Sequence, residues 1–265
     1  MWLVGDWRIG KTTILGAWEK RLRERGVVVK LVSGQGPAGV SAAQFVETVT
    51  GLDSPPGADD AADRLTAWID AVSASGLPPV VLVDEVESVV QTCDVRFFDR
   101  LRDLLGRVCL VFSSREAPDE VFGNFNKASP ITNRMETAVV GLLESEGDDA
   151  TIRLGGEQLG SGDADLMRRW CGRHCYFLQL FGWSLVEARW LGSPEEALRD
   201  FQRQAAMHFR QMWKVMPAEW RIPLRDAGRG VPPKMGVLRQ RGLLTEEGRP
   251  FGEVFAAWLR GEIGE

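Results

Sequence analysis

The segment VGDWRIGKTTILGAW, Val4 to Trp18, opens on an apolar residue and closes in apolar residues at helical spacing. Between them Gly5, Gly10, Lys11 and Thr12 fit the pattern G-x-x-x-x-G-K-[ST] at every fixed position. Each residue type has a reason to be there. The glycines let the loop wrap with its backbone N–H groups turned inward, where a side chain would block the approach of an anion. Lys11 offers a mobile charge to the β- and γ-phosphates of a nucleotide, and Thr12 offers a hydroxyl to Mg²⁺. The helix that begins there turns its positive end to the same point. The stretch predicts a strand, a phosphate-binding loop made of Gly5, Asp6, Trp7, Arg8, Ile9, Gly10, Lys11, Thr12 and Thr13, and a helix.

Outward from this loop, apolar β-branched runs recur at Val27 to Val32, Pro79 to Glu85, Val108 to Ser114 and Thr137 to Val140, each reading as a buried strand. Segments with helical spacing lie between them at Lys11 to Arg25, Ala61 to Val72 and Val95 to Leu105. Strand and helix in alternation predict an α/β fold: a parallel sheet covered by helices on both faces. Beyond about residue 150 the strand runs fade, and Gly155 to Asp165 reads as a linker into a helical remainder. From about Gln204 the order is helix, helix, helix, then a short ribbon around the turn Glu247-Gly248, which is the order of a winged helix. The expected division is a core over 1–150, a helical lid over 151–203 and a winged helix over 204–265.

Two further strand ends carry polar residues. The run VVLVDE ends in Asp84 and Glu85. A carboxylate at the C-terminal end of a parallel strand lies at the rim where ligands bind in open α/β sheets, so Asp84 is placed to hold Mg²⁺ and Glu85 to deprotonate an attacking water. The run LVFSSR supplies Ser113, Ser114 and Arg115 as readers of a γ-phosphate or its attacking water. Arg134 is a weaker candidate for completing the site of a neighbouring subunit. The assigned roles are therefore Glu85, Lys11 and Arg115 in catalysis, Thr12 and Asp84 at the metal, and Ser114 with the loop at the nucleotide.

Taken together, GDWRIGKTT, VVLVDE, LVFSSR and GRHCYFLQLFGWSLV, with the trailing helix-rich unit, resemble the STAND branch of the AAA-like P-loop ATPases, in particular prokaryotic members with a C-terminal winged helix. The resemblance extends over nearly the whole chain. It implies a P-loop NTPase three-layer core with strand order 5-1-4-3-2, followed by a helical lid and a winged-helix domain, and a ligand of ATP with Mg²⁺. There are two departures from the family pattern. Cys175 stands where relatives carry a proline in the lid segment Gly172-Arg173-His174-Cys175. The family's segment upstream of the loop, which helps hold the adenine, has no counterpart before Met1, so either the sequence is an N-terminally shortened form or something else covers the base.

Composition bounds the remaining choices. With 32 Lys and Arg against 37 Asp and Glu, the net charge of −5 argues against a protein that coats nucleic acid. The charge is uneven: residues 1–150 carry 15 basic and 23 acidic residues, and 151–265 carry 17 and 14. Four scattered cysteines suit a reducing compartment, with the cytoplasm expected, and neither a signal sequence nor a membrane span is read. His174 between Cys171 and Cys175 does not make a zinc site, because the set lacks a second ligand cluster. The ten tryptophans, among them Trp183, Trp190, Trp213, Trp220 and Trp258, are expected mostly as core anchors, while Trp7 in the loop must stack on something or lie exposed.

These residues support a slow signalling ATPase whose nucleotide state, ATP or ADP, controls domain closure and assembly with itself or with an effector protein. The alternative is a DNA loader or transposition regulator using the basic cluster Arg221, Arg225, Arg229, Lys234, Arg239 and Arg241 on a duplex, a partner not favoured here. A third reading, a scaffold that binds nucleotide without hydrolysis, is opposed by Glu85.

Overall fold

The computed structural model describes residues 1–74, 76–191 and 193–263; for Arg189, Trp190, Leu191 and Pro194 it describes the backbone only. The chain divides into two compact units, the first Met1–Gly5 with Lys11–Val139 and the second Asp6–Gly10 with Val140–Glu265.

The first unit is a five-stranded parallel sheet flanked by helices. Its strands are β1 (Trp2–Val4), β2 (Val29–Ser33), β3 (Val80–Asp84), β4 (Cys109–Ser114) and β5 (Thr137–Val139). Their order across the sheet is β2-β3-β4-β1-β5, and every pairing is parallel. Read from the other edge this is the expected 5-1-4-3-2. Strand β3 is buried at all five positions, which is why its sequence is a continuous apolar run and shows no alternation. Edge strand β5 is far more exposed. Its helices are α1 (Lys11–Glu24), α2 (Ala42–Thr50), α3 (Ala58–Ser73), α4 (Val86–Thr92), α5 (Val95–Asp103) and α6 (Pro118–Gly123). Helix α2 starts at Ser41, whose side chain accepts from the Gln44 N–H, and stops at Gly51 in the left-handed region. Trp2, Phe45, Phe97, Phe98, Phe112 and Phe122 centre a single core.

The second unit holds α7 (Ser145–Arg153), α8 (Asp163–Cys171), α9 (Cys175–Leu191), α10 (Pro194–Val215), α11 (Ala218–Gly228), α12 (Gly236–Gln240) and α13 (Glu253–Arg260). Helix α10 opens on a capping box in which Ser193 and Glu196 satisfy each other's backbone N–H groups. Phe177, Phe181, Phe201, Phe209, Phe251 and Phe255 form its aromatic core. After α12 the only extended feature among the described residues is one antiparallel bridge, Leu244 to Pro250, closed by a turn in which Thr245 N–H donates to Arg249 O at 2.8 Å.

Several expectations are corrected. The expected linker Gly155–Asp165 contains a 3₁₀ turn (Gly156–Gln158) and the start of α8. Helix α3 starts three residues before the helical spacing read from Ala61, with Asp59 and Asp60 at its positive end. Trp183 is no core anchor: it is 68% exposed, because α9 turns Phe177, Leu178, Phe181 and Leu185 inward and leaves position 183 on the opposite face. Trp213, Trp220 and Trp258 pack against the core while partly exposed; the Trp190 side chain lies outside the described residues.

Candidate nucleotide site

The strand ends of the first unit bring Lys11, Thr12, Asp84, Glu85 and Ser113 together. Thr12 is the second residue of α1, directly after the loop, and its Oγ1 donates to Asp84 Oδ2 at 2.5 Å. Ser113 Oγ donates to the other carboxylate oxygen, Oδ1. Asp84 is only 7% exposed, so these two hydroxyls hold a buried carboxylate in one orientation. Lys11 Nζ donates to Gly5 O at 2.7 Å, which keeps the ammonium over the first residue of the loop. A carboxylate, a hydroxyl and the oxygens of a polyphosphate form a hard donor set of the type Mg²⁺ takes, with water completing it. The residues present thus fit the cation the motif implies. Thr13 follows Thr12 on α1 and is exposed.

Glu85 lies one residue beyond β3 with φ 54° and ψ 50°, the left-handed region that a non-glycine residue rarely adopts. That turn carries its side chain toward β2. There Gln35 Nε2 donates to Glu85 Oε1 at 2.8 Å and Ser33 Oγ to Oε2 at 3.3 Å. Burial, followed by the neighbouring charge of Asp84, raises the Glu85 carboxyl above the ordinary carboxylate range. Gln35 and Ser33 thus hold a carboxylate of raised proton affinity in one orientation. Ser33 and Gln35 are absent from the sequence reading. The rule that singles out Asp84, polar residues at the C-terminal end of a buried strand, applies to them equally.

The backbone around Glu85 is tightly enclosed. Gly34 N–H donates to Asp84 O at 2.7 Å, and an ideal Cβ built on Gly34 would lie 2.1 Å from Glu85 O. Only glycine lets these chains pass so closely.

The β4 end is arranged differently from the serine pair's common reading. Ser114 Oγ accepts from Trp2 Nε1 at 2.5 Å and donates to Glu116 O at 2.6 Å, both inside the first unit. Arg115 is exposed, and its backbone N–H donates to Glu87 Oε1 at 2.6 Å. Arg134 is exposed in a 3₁₀ turn (Thr132–Arg134).

Within the second unit the middle of the loop is gripped by α9 and α10. Cys175 Sγ donates to Ile9 O at 3.1 Å and lies 3.6 Å from Arg8 O. An ideal Cβ on Gly10, at φ +110°, would come 3.3 Å from that sulfur. Arg8, with φ 61°, presents its guanidinium to two rings at once, 4.6 Å from the Trp7 centroid and 4.3 Å from that of Tyr176. The Tyr176 hydroxyl and His208 Nε2 are 2.6 Å apart, and His208 meets the Trp7 ring edge-on at 5.9 Å. Trp7 thus stacks and stays 37% exposed. Burial raises the Cys175 thiol and the Tyr176 phenol. Burial and the Arg8 charge lower His208. Asp6 Oδ1 accepts from Trp7 N–H at 2.6 Å, and Ile9 is 3% exposed.

In the basic cluster of the last third Arg225, Arg229 and Lys234 are exposed, while Arg221, Arg239 and Arg241 are half-buried or buried. Arg221 Nη2 donates to the carbonyls of Trp213 and Met216, Arg241 is 9% exposed with its guanidinium 5.5 Å from the Trp220 ring, and Arg225 lies 5.5 Å from that of Trp213.

No family model matches the chain, and no curated protein matches it. Solved structures do. A Walker-type ATPase of Pyrococcus abyssi is similar with a TM-score of 0.65 at 13% identity, over 98% of this chain and 90% of that one. The ORC2 protein of Aeropyrum pernix, in ADPNP and ADP complexes, gives 0.59 at 15% identity over 97% and 78%. AMPPCP-bound DnaA from Aquifex aeolicus gives 0.52 at 15% identity over 91% and 70%. At these identities the likeness is one of fold, and the fold is that of the P-loop ATPases.

Proposed function

We propose that this chain binds ATP with Mg²⁺ on the loop Gly5–Thr13 and hydrolyses it slowly as a STAND-type switch. The observation that carries this reading is the hydrogen-bonded set Thr12–Asp84–Ser113, with Lys11 beside it at the end of the same sheet. The nucleotide-bound solved structures of like fold support it. Lys11 leaves the Gly5 carbonyl for the β- and γ-phosphates, the loop N–H groups donate to phosphate oxygens, and Thr12 and Asp84 hold the cation. The cation, when bound, supplies charge neutralisation on the phosphates. Glu85, oriented by Gln35 and Ser33, takes the proton of the attacking water. Arg115, on the neighbouring strand end, responds to the γ-phosphate, and Ser114 would have to give up its bonds to Trp2 and Glu116 O to join it.

A switch needs the loop to be coupled to something that moves. The contacts of Cys175 and Tyr176 with Arg8 and Ile9 provide the coupling, since a phosphate that reshapes the loop must disturb them. We assign 1–150 to the ATPase core, 151–203 to a lid and 204–265 to a winged helix, with self- or effector-assembly as the output and the cytoplasm as the place of action. The inward-turned Arg221 and Arg241 favour this reading over duplex recognition. Among the described residues no helix is long and apolar enough to cross a membrane.

The test uses a fluorescent ATP analogue and phosphate release. Lys11→Ala abolishes binding. Glu85→Gln binds but releases phosphate slower by on the order of 10²-fold or more. Equal release by Glu85→Gln and wild type ends the catalytic role of that carboxylate. Mass in solution, with and without a slowly hydrolysed analogue, tests assembly.

A further inference from the structure

Helix α10 has two unlike faces. Ala197, Phe201, Ala205 and Phe209 are buried in the aromatic core. On another face Arg199, Gln202, Arg203, Ala206, Met207 and Arg210 follow one another at i, i+3, i+4, i+7, i+8 and i+11. With Ile263 these six line an open groove of about 380 Å³. Arg199, Arg203 and Arg210 are exposed, and Met207 is 54% exposed between them over an Ala206 that is almost wholly covered. From Phe201 to Val215 the helix contains no Asp or Glu. Arg203 pairs with Asp200, which is half-buried and also accepts from Gln204 Nε2 at 2.6 Å, but the Arg203 side chain is 75% exposed, so the pair is weak and the guanidinium can turn to a better partner.

We infer that this groove docks an acidic amphipathic helix of a partner protein. Its carboxylates meet Arg199, Arg203 and Arg210, and an apolar residue covers Met207 against Ala206 and Ile263. At 1.5 Å per residue the three arginines span about 16 Å, the length of three helical turns. The apolar floor between them favours a peptide over nucleic acid, because phosphates leave a methionine uncovered, whereas Met and Arg together mark protein interfaces. This proposal does not rest on nucleotide binding.

The experiment is fluorescence anisotropy of the full chain with a labelled helical peptide of about 16 residues, carrying Glu at i, i+7 and i+11 and Leu at i+3 and i+4. The control peptide replaces each Glu by Gln. The expected result is saturable, salt-sensitive binding of the Glu peptide alone, weakened about tenfold by the double variant Arg199→Glu, Arg203→Glu and several-fold by Met207→Ser. Circular dichroism of these exposed-site variants should match wild type. Equal binding by wild type and variants, or none by wild type, overturns the proposal. So does tighter binding of a single-stranded oligonucleotide with the same variant dependence, which gives the groove to nucleic acid. A solution mass that falls in the arginine variant gives it to a second copy and overturns it likewise.

Discussion

Replacing Gly34 by alanine puts a methyl group where the backbone of Glu85 already runs. The added Cβ would lie 2.1 Å from Glu85 O, 3.0 Å from Glu85 C and 3.3 Å from Asp84 O. Real Cβ contacts do not fall below 3.0 Å, so the two chains must separate by at least 0.9 Å. Every obstructing atom is backbone, and that backbone is pinned: Ser33 is in register with Asp84 in the β2–β3 pair, and the Gly34 N–H is bonded to Asp84 O. Overpacking of this kind costs about 1–3 kcal/mol, and for a chain of this size the melting temperature should fall by about 2–10 °C. The larger effect is on chemistry. Whatever share of that separation Glu85 takes moves its carboxylate, and a misplacement near 1 Å costs a reacting group up to about 10²-fold. Lys11 and the loop lie outside the clash, so ATP affinity should change by no more than a few-fold. Phosphate release at saturating ATP, with equilibrium binding of an ATP analogue, separates the two effects. Gly36→Ala is the control, because its Cβ would meet nothing closer than Ser33 O at 3.3 Å. Wild-type turnover and melting in Gly34→Ala would refute the reasoning, since the backbone would then have room the structure denies it.

Other consequences follow from the same physics. Glu85 is ionised at a cost, its carboxyl being raised by burial and by Asp84. A raised carboxyl binds protons more tightly in the folded state, so its stability penalty appears as pH rises through the window above the unfolded value of 4.5. Glu85→Gln should therefore melt at or above wild type at neutral pH, with the difference vanishing in acid; a scan of melting temperature against pH checks it. His174 is the opposite case. Enclosed between Phe177 and Phe251 with Nδ1 unpartnered, it is pushed by burial down to about 3. The unfolded chain takes up the proton first, so stability is lost as pH falls from about 6.5, by about 2–3 kcal/mol near pH 4.5. His174→Phe should remove that slope in urea titrations. Gly172 has φ +53° and ψ −132°, and an added Cβ would lie 1.5 Å from Phe251 O. Gly172→Ala should cost about 3 kcal/mol or more, seen as loss of soluble protein or a collapsed urea midpoint.

Much of this site was legible in the sequence because its chemistry is local. The motif Gly5 to Thr12 is one uninterrupted stretch whose spacing can be read without any tertiary contact, and Asp84 is marked by the buried strand it ends. The continuous apolar runs of β3 and β4 declare burial on both faces, hence a parallel sheet, without any contact being known. Contacts made across the chain were not legible, even where a strand-end position marks the residue that makes them. Gln35 reaches Glu85 across 50 positions and Cys175 reaches Ile9 across 166. The left-handed turn that aims Glu85 at β2 leaves no mark on a sequence in which glycine would be the expected residue. Nor does helical spacing say which arginines of the last third turn inward onto tryptophan faces, or that Trp183 faces solvent. A local pattern fixes the period of an element. Which of its faces is covered, and by what, depends on neighbours that only tertiary packing supplies.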